Sequence, residues 1–139
     1  MRQGDEIMEI SDIREIFQEL VSTEIEGVKI DTHHIARNRQ KAIGIFPRAK
    51  GAGNAGAIGG MQNMGYILRR VTMMIRWGDD GEIAERKIMG IFNKTTEINI
   101  LYENRKGFIQ GINSEPVWLG MDERGIYEYV IDFDVYVER

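Results

Sequence analysis

The sequence predicts an α+β fold, a single mixed or antiparallel sheet with two helices packed on one face, and three observations support this. Apolar residues recur every three or four positions from Ile7 to Val21, strict alternation runs through residues 66–77 and again through 127–138, and a second helical stripe lies between those two runs, from Ile83 to Phe92. Each helical stripe needs an apolar surface to cover, and one face of a sheet supplies it. At 139 residues one domain, 1–139, is expected, long enough to bury about two-thirds of its unfolded surface.

Ile7, Ile10, Ile13, Ile16, Phe17, Leu20 and Val21, with Arg14, Glu15, Gln18 and Glu19 between them, predict a helix over about residues 6–24, with Asp5 as N-cap and Gly27 as its close. Residues 28–40 show no clear period. Ala42-Ile-Gly-Ile-Phe46, stopped by Pro47, predicts a short strand. Six glycines fall between positions 51 and 65, and their freedom in φ removes any bias toward helix or strand, so residues 48–65 predict a long mobile glycine-rich loop. Residues 66–77 put Ile67, Val71, Met73, Ile75 and Trp77 on one side and Arg70, Thr72, Met74 and Arg76 on the other, a strand with a basic outer face.

Gly78-Asp-Asp-Gly81 reads as a turn in which Asp79 or Asp80 caps a second helix, with Ile83, Ala84, Ile88, Ile91 and Phe92 inward and an end near Asn93. Residues 97–102 and 107–112 predict strands around a turn at 103–107, and residues 116–125 predict a connection. The closing strand is the clearest. Tyr127, Tyr129, Ile131, Phe133, Val135 and Val137 face in, while Glu128, Asp132, Asp134 and Glu138 form an acidic ladder facing out.

Charge is segregated along the chain. No acidic residue lies between Thr32 and Gly78, where eight Lys or Arg fall; the other ten Lys and Arg, against 22 Asp and Glu, leave the rest at about −12. Such polarity suggests self-complementary assembly or an anionic partner more readily than an enzyme pocket. There is no cysteine, hence no disulfide and no thiolate nucleophile or ligand, which fits a reducing compartment and synthesis in the cytoplasm. Asp5, Glu6 and Glu9 interrupt any signal-peptide core, and no window is long and apolar enough to span a membrane, so no membrane partner is expected.

Candidate chemistry reduces to bland readings. Asp132 and Asp134, with Glu128 on the same side, are the only carboxylate constellation, and they read as a solvated or interface-facing strand surface rather than a metal site. His33 and His34 are adjacent and point to opposite sides of an extended chain, so they do not converge on one ion. The glycine run lacks the Gly-Lys-Ser/Thr ending of a phosphate loop. No catalytic, cofactor or metal residue is assigned.

Arg70 and Arg76 on one strand face and Glu128, Asp132, Asp134 and Glu138 on another leave two arrangements open: cross-strand pairs within one subunit, or complementary sides of adjacent subunits. Exposed pairs contribute only about 0.2–1 kcal/mol each. A stable interface must therefore also bury apolar groups, for which Ile58, Met61, Met64, Trp118 and Leu119 are candidates, with Arg48 and Lys50 at the base of the loop.

The ordered series formed by the first helix, Ile43-Gly-Ile-Phe-Pro47, the loop ending Ala57-Ile-Gly-Gly60 with Asn63 and Tyr66, Arg76-Trp77-Gly78, the second helix and Tyr129-Val-Ile-Asp-Phe-Asp-Val-Tyr136 resembles the phage minor capsid and tail terminator family. The resemblance implies a non-enzymatic α+β subunit of a homo-oligomeric ring, commonly hexameric. In the virion such a ring sits at the head–tail junction, caps the tail tube protein and receives a head-completion protein. The alternative is a small nucleic-acid-binding protein using the basic 37–76 segment, with Arg48, Lys50, Arg69, Arg70 and Arg76 on phosphates and Tyr66 stacked on a base.

Overall fold

The structure is a computed structural model and describes residues 8–48 and 65–139. Asp5, Ile7, Lys50, Ile58, Met61, Met64 and almost all of the expected 48–65 loop lie outside the described residues. Among the described residues the element order is α1 (Ile10–Leu20), β1 (Ile30–Thr32), β2 (Lys41–Pro47), β3 (Tyr66–Trp77), α2 (Gly81–Thr95), β4 (Ile98–Tyr102), β5 (Arg105–Gly111), β6 (Val117–Met121) and β7 (Tyr127–Glu138). The sheet is open and mixed, in the order β1-β2-β3-β7-β5-β4, with β6 paired to β7 beyond the end of β5. Only β1 and β2 run parallel. The α+β expectation, with helices packed on the sheet, is therefore met.

Alternation decides which face the helices take. Ile67, Val71, Met73, Ile75 and Trp77 of β3 and Ile131, Phe133, Val135 and Val137 of β7 share one core with Ile13, Ile16 and Phe17 of α1 and Ala84, Ile88 and Ile91 of α2. Phe17 meets Phe133 with ring centroids 4.7 Å apart. Each such side chain contributes about 1.5–3 kcal/mol on burial, so the two long central strands hold the fold together.

The first helix is shorter than its apolar spacing predicts. It begins after Glu9, whose N–H donates to Asp12 Oδ2 at 3.0 Å, and it gives way at Val21 to turns that run to Gly27, in a left-handed conformation at φ 83°. Gln18 then ties the helix to the sheet, accepting from the N–H of Ile30 at 2.8 Å and donating to the Val28 carbonyl at 3.1 Å. This link explains β1, which its own three residues do not announce.

In α2 the expected cap is present, with Asp80 Oδ1 accepting from the N–H groups of Glu82 and Ile83. The helix runs to Thr95, two residues past the expected end, and its buried stripe is Ala84, Ile88, Ile91 and Thr95. Ile83 is a correction: it is half exposed, because the stripe starts one position later. Residues 116–125, expected to be a connection, contain β6, which pairs antiparallel with β7 through a bulge between Trp118 and Gly120.

The parallel β1–β2 pair is joined by only residues 33–40, a crossover too short for a helix. It lies flat on the helix-free face of the sheet. His33 takes φ 59° and donates its N–H to the Ile45 carbonyl at 2.8 Å, and the His34 carbonyl then rests on Gly44, where any Cβ would overlap it. Glycine at 44 is a packing requirement. The same crossover carries Arg37 to the charged layer described next.

Candidate assembly surface

The helix-free face was expected to be basic on β3 and acidic on β7. Antiparallel register instead sets Arg70 opposite Asp134, Thr72 opposite Asp132 and Arg76 opposite Glu128. Of the two arrangements left open by the sequence, the structure takes cross-strand pairing within the chain. Arg76 is fully buried, with Nη1 2.5 Å from Glu128 Oε2, Nη2 2.7 Å from Asp122 Oδ2, and the carbonyls of Arg37 and Arg39 at 3.3 and 3.5 Å. Arg37 adds a second cation to Glu128 at 3.0 Å. At the other end Arg48 pairs with Asp134 and donates to the Phe133 carbonyl at 3.2 Å, while Arg70 Nε lies 3.8 Å from Asp134. Between them Thr72 Oγ1 donates to Asp132 at 2.5 Å.

The expectation of a free basic outer face on β3 is thus corrected. Arg48, Arg70, Arg76, Glu128, Asp132 and Asp134 come together, but they face one another. The physical reason is register: the strands that carry opposite charge are direct neighbours, and half-buried charges on adjacent strands pair rather than stay desolvated alone. Among the described residues no three His, Asp or Glu side chains converge as metal ligands, because each carboxylate turns to its own cation or hydroxyl.

Sequence reasoning missed Asp122 and Arg37. Asp122 closes a tight turn, its Oδ1 accepting from the N–H groups of Arg124 at 2.8 Å and Ile126 at 3.0 Å, and Gly125 takes φ 80°. Asp122-Glu-Arg-Gly125 carries that turn signal in plain view. That its second oxygen would reach Arg76 is not legible locally.

The N–H of Ile126 and, next, the guanidinium of Arg76 hold the Asp122 carboxyl down at about 2, against an ordinary 3.8. A depressed carboxyl contributes stability that is present above its unfolded value and lost as pH falls through its folded value. The melting temperatures of the native chain and of Asp122→Asn should therefore differ at about pH 6 and converge as pH falls from about 4 to about 2. A gap that stays constant over that range would show that the charge on Asp122 contributes nothing. Asp134 behaves oppositely: burial pushes its carboxyl up, and this outweighs the downward pull of Arg48 and Arg70.

With the charged layer paired internally, four of the large apolar side chains exposed among the described residues gather elsewhere. Val117, Trp118, Leu119 and Met121 of β6 are 40, 56, 52 and 57% exposed, and no strand among the described residues pairs with the outer edge of β6. Of the residues the sequence nominated for an interface, Trp118 and Leu119 stand here, apart from the charged layer. Trp118 stacks on Tyr127, with centroids 6.3 Å apart and planes at 22°. Beneath Trp118 a cleft of about 360 Å³ opens toward α2, lined by Glu85, Ile88, Met89, Glu115, Tyr127 and Tyr129 among others. No helix among the described residues is long and apolar enough to cross a membrane. Compared with known proteins, the chain gives no match to a family model, a curated protein or a solved structure.

Proposed function

We propose that this chain is a structural subunit of a phage head–tail junction, a tail terminator or minor capsid protein that assembles head-to-tail into a ring capping the tail tube. The observation that carries the reading is β6, a strand of exposed large apolar residues whose outer edge no strand among the described residues covers. An uncovered apolar edge favours pairing with another chain. Since β6 stands at one end of β7 and is unlike the surface at the other end, a contact between β6 and that other end joins two different patches, and such contacts form a ring when the rotation between copies closes. The series of motifs from Ile43 to Tyr136 supports the phage assignment.

Of the cations named for the nucleic-acid alternative, Arg48 and Arg70 already face Asp134, and Arg76 faces Asp122 and Glu128. That pairing weighs against phosphate contacts there.

The test is mass in solution by light scattering, with and without purified tail tubes, followed by negative-stain imaging. Annular particles, free or at tube ends, are the expected result. A chain that stays monomeric in both conditions and leaves the tube ends bare overturns the reading.

A further inference from the structure

We infer that the cleft between α2 and β6 is the seat for a cationic side chain, arginine or lysine, presented by a second copy of this chain; the choice of occupant rests on the ring reading above, while the cation chemistry rests on the cleft itself. The walls are aromatic: Trp118 stacked on Tyr127, with Tyr129 beside them. At the mouth, a Cβ on Gly81 would lie 2.9 Å from the Tyr127 ring, so glycine there lets the ring lie against the start of α2. Two carboxylates, Glu85 and Glu115, line the same cleft, and neither has a hydrogen bond or ion pair among the described residues. Aromatic faces attract cations, and unpaired carboxylates beside them select a cation over a neutral or anionic group. Tyr129 registers one of those charges, its hydroxyl being pushed up first by burial and then by Glu85.

A second copy is the occupant that the chain's own charge distribution favours. Arg69 and Lys106 have no side-chain ion pair among the described residues. Register places Arg69 opposite Val135 and puts Lys106 beside Glu138, whose Oε1 accepts its backbone N–H. Both therefore lie near the last residues of β7, whereas Tyr127 and Tyr129 of the cleft lie at its start. At about 3.4 Å per residue the two ends are about 30 Å apart, so neither of these two side chains reaches the cleft of its own copy. The acidic aromatic cleft of one copy and Arg69 or Lys106 of the next, at the far end of β7, form a heterologous pair.

Two measurements test this. In the first, N-acetyl-arginine amide is titrated into ¹⁵N-labelled chain while the two indole N–H signals are followed; Trp77 is buried and serves as the internal reference. The Trp118 signal should shift to saturation and the Trp77 signal should not. The uncharged N-acetyl-citrulline amide should leave Trp118 in place, and Glu85→Gln with Glu115→Gln should weaken binding about tenfold. Equal shifts with both probes, or unchanged binding by the double variant, overturn the cation site.

In the second, association is measured by sedimentation. The Glu85→Gln/Glu115→Gln chain and an Arg69→Glu/Lys106→Glu chain should each associate more weakly. Rings as stable as native from both chains remove the second copy as occupant and leave the ring reading standing. A native chain that makes no ring even with tail tubes overturns the ring reading and the second-copy occupant together. The probe titration still decides whether the cleft takes a cation.

Discussion

Arg76→Ala should lower the unfolding free energy by about 3–5 kcal/mol, the largest loss expected from a single substitution in the charged layer. The guanidinium is fully buried and bridges two carboxylates that belong to different parts of the chain, Asp122 of the β6–β7 turn and Glu128 of β7. It also fastens the crossover strand connection through the carbonyls of Arg37 and Arg39. Truncation removes three anchorages at once and leaves two partly buried carboxylates with less compensation, Glu128 retaining only the half-exposed Arg37. Arg76→Lys should recover little, because a single ammonium lacks the planar fork that reaches both acids.

In thermal melts the loss should appear as a fall of about 10 °C or more for a domain of this size. In the double variant Arg76→Ala/Glu128→Gln the losses should not add, since the second change removes the charge that the first stranded. A fall of under about 1 kcal/mol for Arg76→Ala would mean that water solvates both acids once the arginine is gone, and that the layer is not a structural clasp.

The same residues show what the sequence can and cannot display. Alternation alone identifies β3 and β7 and sorts their inward sets correctly, because side-chain direction in a strand is a local property with period two. Alternation equally marks Arg76 and Glu128 as outward. Whether an outward charge meets water, a neighbouring subunit or a partner on the next strand depends on pairing over 52 positions of sequence, and that information is not local. The Asp80 cap is legible for the opposite reason, since the N–H groups that donate to it lie two and three residues away.

β6 escapes a reading by pattern because Val117-Trp-Leu-Gly-Met has no polar partner for each apolar position, and glycine in a strand usually argues against one. Its strand character comes from β7 across a short turn, with the Gly120 bulge at φ 110° absorbing the mismatch. The nomination of Trp118 and Leu119 as interface residues needed only their size and apolarity. The cleft beside them needed the fold, which brings Glu85 from α2 and Glu115 from the β5–β6 connection to the same aromatic wall.

Leu119→Lys should weaken self-association about tenfold or more while shifting the melting temperature of the isolated chain little. Leu119 is 52% exposed and sits in the bulged stretch of β6, so a lysine there meets water in the monomer and changes folding by less than about 0.5 kcal/mol. In an assembled ring the same ammonium would have to be desolvated against an apolar neighbour, and a lysine on an edge strand is itself a device that blocks edge pairing. Leu101→Lys supplies the contrast. Leu101 is 70% exposed on β4, the edge strand beyond β5, which does not pair with β6, and should tolerate the charge both in folding and in association if β6 carries the contact. Sedimentation and melting of the two variants side by side separate the possibilities. Loss of association by Leu101→Lys with Leu119→Lys unaffected would move the interface to β4. A large fall in melting temperature for Leu119→Lys alone would mean that β6 packs within the protomer and is not a surface held open for a neighbour.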